Sequence, residues 1–133
     1  MTTLSEQLAH QRQLTAQQLK QRRGMSDQLG TARRVDHSGV FPDTKSAADA
    51  SFELASSGYA TRISEDQGYV LLEVQKVTPI DPETVERFTE EVLTVFHRFG
   101  GDYDGWGAPV VDPQPDAARP RRSWIDRLMR PQR

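Results

Sequence analysis

The chain has no cysteine, which excludes disulfides, thiolate metal sites and a cysteine nucleophile and fits a reducing compartment. It also lacks a long apolar run. The longest, residues 69–72, falls far short of the roughly 20 residues needed to span a membrane as a helix. The opening Met1-Thr2-Thr3-Leu4-Ser5-Glu6 has neither the basic stretch nor the apolar stretch of a signal peptide, so the expected location is the cytoplasm. Apolar residues make up 35% of the chain, below the roughly 45–50% usual for globular proteins counted with glycine. Catalytic signatures are missing as well: no GxxxxGK(S/T), no GxGxxG after a strand and no GxSxG. The three histidines, His10, His37 and His97, stand at no metal-ligand spacing. The expectation is a protein that is not an enzyme and has no cofactor and no metal.

The charge that is present is unevenly spread. Residues 1–23 carry four basic groups against Glu6, and residues 35–113 carry 15 acids against five basic groups, a net −10. Residues 114–133 carry six arginines against Asp116 and Asp126, a net +4. An acidic body with basic ends suits an electrostatic protein surface better than a nucleic-acid groove. With 133 residues there is material for one core. The predicted division is an N-terminal helix and linker over 1–27, an α+β domain over 28–113, and a basic Pro/Arg-rich tail over 114–133.

The pattern predicts a helix over 4–22, with a narrow apolar face of Leu4, Leu8, Leu14 and Leu19, stopped by Gly24. Val35, His37 and, after a slip at Gly39, Phe41 read as a bulged strand. Residues 45–57 read as a helix with Ala47, Ala48, Phe52, Leu54 and Ala55 inward. Residues 59–65 and 69–77 read as a hairpin around Asp66-Gln67-Gly68. Asp81 caps a strongly amphipathic helix through Val85, Phe88, Val92, Val95, Phe96 and Phe99. Residues 103–111 read as a last strand. Strand–helix–strand–strand–helix–strand is the ferredoxin-like βαββαβ order, an antiparallel sheet with both helices on one face. In the tail, Trp124 and Leu128 share a helical face and are candidates for docking onto a partner or back onto the domain.

Tyr103-Asp104-Gly105-Trp106-Gly107 concentrates two aromatics, an acid and two glycines. Glycines let a strand bend or bulge, and tryptophan is a frequent interface anchor. The packing reading is a glycine-shaped sheet edge filled by its aromatics. The binding reading is a contact site formed by these five residues. Asp102 and Asp104, flanking Tyr103, could face one side of a strand, and exposed acids are the plainer reading. Gly101 to Gly107 as a run, followed by Val111-Asp112-Pro113, resembles the signature near the end of the regulator of ribonuclease E activity B (RraB) family. The similarity extends through the Glu6-Gln7-Leu8 helix, the Gly24 and Ser26-Asp27 break, the strand near Asp36-His37, Gly58-Tyr59 and the helix after Asp81. It implies a ferredoxin-like protein that binds the endoribonuclease RNase E, or a component of its degradosome, and lowers its activity without catalysis. The family's members end in an acidic tail, and this chain ends in a basic one. The alternative from the residues themselves is an RNA-binding sheet using Tyr69, Tyr103 and the basic tail.

Overall fold

The computed structural model describes residues 2–112; Trp124 and Leu128 therefore lie outside the described residues. Seven elements follow in order: α1 (Leu4–Gly24), β1 (Arg33–Phe41), α2 (Thr44–Ser56), β2 (Ala60–Asp66), β3 (Tyr69–Thr78), α3 (Pro82–Arg98) and β4 (Asp102–Gly107). Each helix begins where a short oxygen-bearing side chain takes up a free amide. Thr3 and Glu6 form a reciprocal capping box, Asp43 accepts from Ser46 N at 2.7 Å, and Asp81 accepts from Thr84 N at 3.2 Å.

The sheet order is β2-β3-β1-β4, with every neighbouring pair antiparallel. This is the ferredoxin-like arrangement, with α1 added in front. β2 and β3 are joined by a two-residue turn at Gln67-Gly68, both at positive φ, the geometry that matches the twist of a hairpin. One face of the sheet meets the helices. Along β1, Arg33, Val35, His37, Gly39 and Phe41 are all buried, alternating with half-buried residues on the other face.

Two apolar clusters fill the space beneath the helices. One gathers Phe41, Leu54, Leu72, Val74, Val92 and Phe96; the other gathers Leu19, Val35, Ile80, Val85, Phe88 and Trp106. Burying a side chain such as Phe96, fully enclosed here, contributes about 1.5–3 kcal/mol.

Several local expectations are corrected. β1 runs in unbroken register with β3, and the irregularity lies in its pairing with β4, between Ser38 and Gly39. α2 turns Ala47, Ala50 and Leu54 to the core and leaves Ala48 and Ala55 exposed and Phe52 77% exposed. Four alanines among its 13 residues blur the phase of that helix, and Phe52 falls out of step with the i, i+3, i+7 set of Ala47, Ala50 and Leu54. α1 buries Gln11, Thr15, Leu19 and Arg22, while Leu14 is exposed. Its inward face is polar because it packs beside a strand edge and a buried carboxylate. β4 ends at Gly107, before Pro109, which cannot donate to a ladder.

Gly39 is required by packing. A β-carbon there would collide with the Asp102 carbonyl and the Phe96 ring. Gly39→Ala should lower stability by about 1–3 kcal/mol in urea denaturation, as overpacking does. Phe52→Ser, at the exposed ring, should change it by less than about 0.5 kcal/mol.

Candidate functional site: the open sheet face and its α1 wall

A residue pair spaced i, i+3 on a regular strand points to opposite faces. Tyr103 and Trp106 do not, because the register with β1 shifts between them: Gly39 pairs with Tyr103, Ser38 with Gly105 and His37 with Trp106. Asp104 is the extra residue of the bulge, and Gly105 takes φ +124° to make it, a conformation open essentially to glycine. Both aromatics therefore enter the helix side.

Trp106 is 8% exposed. Its ring stands edge-on to Phe88 at 5.6 Å, with the Arg22 guanidinium 5.4 Å from its centre. Its indole N–H donates to Thr15 Oγ1 at 3.2 Å, and its carbonyl accepts from Gln18 Nε2 at 3.4 Å. The side chain joins α1 to the sheet, and its indole is core rather than surface.

Tyr103 hydroxyl and His37 Nδ1 are 2.8 Å apart. His37 is 1% exposed, and its Nε2 has no hydrogen-bond partner among the described residues. The imidazole stands perpendicular to Phe88 at 5.0 Å. Burial pushes its pKa down to about 3, so it is neutral at pH 7. Burial also raises the Tyr103 pKa well beyond the usual phenol range. The interior pair is a structural hydrogen bond between neutral rings. His10 is exposed, and His97 Nδ1 is 3.3 Å from Gln7 Nε2. Among the described residues no group of His, Asp and Glu could hold a metal ion. Asp102 and Asp104 are both exposed, but they line different hollows.

α1 is held by a second joint, which sequence reasoning passed over as a turn. The Asp27 carboxylate, fully enclosed, receives Arg22 Nη1 at 2.9 Å, Arg33 Nη1 at 2.6 Å and the Val111 amide at 3.0 Å. The two guanidiniums spend further donors on carbonyls: Arg22 on Ala108 at 2.8 Å, and Arg33 on Pro109 at 2.9 Å, Thr31 at 3.1 Å and Gln28. Burial alone would raise the Asp27 pKa. The hydrogen bonds from Arg33, Val111 and Arg22 outweigh it and hold the carboxyl below its ordinary value. An acid between arginines six and five residues away, just past a helix, is a weak sequence signal, since surface turns look the same.

With the aromatics turned inward, the opposite face of the sheet is left polar and open. It forms a trough of about 730 Å³ with Gln11 and Gln18 of α1 on one side. Arg34 and Asp36 of β1 lie between that wall and the Arg62–Glu73 pair of β2 and β3. Arg62 reaches Glu73 at 2.5 Å, and Arg34 Nε lies 3.4 Å from Asp36 Oδ1. Burial raises the Asp36 pKa against the opposing pull of Arg34. Asp104, Gly105 and Gly107 line the trough next to α1. These groups can hydrogen-bond a polar partner surface. Of the two aromatics expected on the sheet for base stacking, only Tyr69 is exposed, since Tyr103 faces the helices.

Fold and site together define a ferredoxin-like α+β domain with an N-terminal helix clasped to its edge strand and a polar trough on its open face. The family model for regulator of ribonuclease activity B (RraB) matches residues 12–108, most of the chain and every strand of the sheet. The chain belongs to the RraB family. No curated protein matches it significantly. Among the described residues no helix is long and apolar enough to cross a membrane.

Two pH windows follow. His37, with a folded pKa depressed below its unfolded value near 6.5, contributes stability that is complete above pH 6.5. It is lost toward pH 3 at up to about 1.4 kcal/mol per pH unit. Urea denaturation from pH 7 to pH 4.5 should show this slope, and His37→Phe should remove it. Asp27, whose folded pKa is also depressed, adds a loss that begins only as pH falls below about 4. At pH 7, Asp27→Asn leaves two buried guanidiniums without their counter-ion and should cost about 3–5 kcal/mol.

Proposed function

We propose that the protein is a non-catalytic regulator that binds the endoribonuclease RNase E, or a degradosome component associated with it, and modulates RNA turnover through the trough on the open sheet face. The observation that carries this reading is the family match over residues 12–108, which includes every residue named in the trough except Gln11. The motif residues divide the work in this proposal. Tyr103 and Trp106 act from the interior by positioning β4 and α1. Asp104, Gly105 and Gly107 present a low wall on which a partner can close. A cytoplasmic location goes with this partner.

RNA binding by the sheet itself has less support, because Tyr103 is turned inward and the charged groups of the trough include Asp104, Glu73 and Arg62 in close mixture. A mixed-sign surface with paired charges attracts a polyanion weakly.

Gly107 supplies the test. A β-carbon there meets nothing within 4 Å, so Gly107→Arg fills the trough without disturbing the core. With purified RNase E, the wild-type protein should bind and slow cleavage of an RNA substrate. Gly107→Arg should weaken binding at least about tenfold, or about 1.4 kcal/mol, at unchanged melting temperature. Absence of binding to RNase E and to every degradosome component would remove the proposal. Full activity of Gly107→Arg would remove the trough as the contact face.

A further inference from the structure

α1 and α3 pack side by side but do not close over one another. Between them runs a mostly apolar groove of about 230 Å³, lined by Leu8 and Leu19 of α1 and by Pro82 and Thr89 of α3, with Glu86 and Glu90 at its rim. That volume is below the roughly 300 Å³ at which small-molecule pockets begin and matches one large side chain. Thr89 Oγ1, buried, has no hydrogen-bond partner among the described residues. Among the described residues Glu86 is engaged by an exposed pair with Arg12 at 3.4 Å. Glu90, and Glu83 one turn before Glu86, have no ion-pair partner among the described residues.

We propose that this groove is the docking site of the chain's own residues 123–130, with the Trp124 side chain as the anchor. Four observations converge on that occupant. The described chain is fixed near its end at the C-terminal end of α1, where the Asp27 carboxylate accepts from Val111 N and Val111 O accepts from the Gln28 amide at 3.1 Å. At about 1.5 Å per helical residue, the middle of the groove lies about 15–20 Å from there. Residues 113–123 span up to about 36–40 Å when extended. The linker is therefore long enough to reach.

The charges are complementary. Trp124 is flanked by Arg121, Arg122, Arg127 and Arg130, and the groove's rim offers Glu86 and Glu90, with Glu83 beyond. The chemistry of the anchor is already used once in this protein, where the Trp106 indole N–H donates to Thr15 Oγ1; the groove is lined by a second threonine, Thr89, whose hydroxyl is unpaired among the described residues. The scale of the site also favours an intramolecular occupant. A stable contact between separate chains needs about 1,000 Å² or more of buried surface, which one side-chain-sized groove does not provide. A tethered segment meets it at millimolar effective concentration.

The proposal is independent of the trough and of RNase E. Amide spectra of the full chain test it, comparing wild type with Trp124→Ala and with Glu86→Lys/Glu90→Lys. Docking predicts that both variants shift the amides of Leu8, Thr15, Leu19 and Thr89 while the sheet stays unchanged. It also predicts that the Trp124 indole proton of the wild type shows cross-relaxation to the Leu8 and Leu19 methyls, at every protein concentration. Groove resonances unmoved by Trp124→Ala would overturn it. So would contacts that fade on dilution, which assign the groove to a second copy, or contacts that arise only on adding RNase E, which assign it to the partner.

Discussion

The buried Asp27 carboxylate is the constraint on which the arrangement depends. It ties together three segments that are far apart in the chain: the last turn of α1 through Arg22, the start of β1 through Arg33, and the stretch after β4 through Val111. A carboxylate with two guanidiniums is costly to take out of water. The cost is offset here because the guanidiniums also find backbone carbonyls at Ala108, Pro109, Thr31 and Gln28. With the joint in place, α1 lies along the edge strand, Arg22 sits over the Trp106 ring, and Thr15 and Gln18 reach the same residue. An edge strand covered in this way is also shielded from pairing with another chain.

The bulge in β4 is the second determinant. By turning both Tyr103 and Trp106 inward, it places the large aromatics in the core and leaves an acid and two glycines at the trough. The Tyr-Asp-Gly-Trp-Gly run is thus a device for shaping a strand. Its aromatic members fix where the strand lies, and its small members leave room above it. His37 belongs to the same assembly, because an interior strand position beside Tyr103, Tyr59 and Phe88 keeps the imidazole uncharged and directs it to packing.

Much of the fold was legible from local signals. The cap at Asp81, the Gln67-Gly68 turn and the apolar spacing of α3 each follow from interactions within a few residues, and the element order led from them to the ferredoxin-like class. The inward face of α1 was not legible. Gln11, Thr15 and Arg22 look like solvent-facing residues until β4 and Asp27 are placed against them. Phe52 failed for the opposite reason: a large apolar residue in an alanine-rich helix reads as core, and only the orientation of α2 on the sheet shows that its ring lies outside. The bulge was anticipated beside Gly39, where glycine suggested it, but close packing under Phe96 accounts for Gly39. The irregularity belongs to the partner strand.

By itself the sequence determined the class of fold, the absence of thiol chemistry, the acidic body with basic ends, and the family resemblance carried by Tyr103 to Gly107, because each is a property of composition or of short-range order. Tertiary structure alone decided what those five residues do. Whether a tryptophan beside glycines is a surface anchor or a core clasp depends on strand register, and register is set by pairing with a strand more than sixty residues earlier in the chain. The same long-range pairing brought Asp27, Arg22, Arg33 and Val111 into one joint. No local pattern could have announced it, since each of these residues, taken alone, is ordinary.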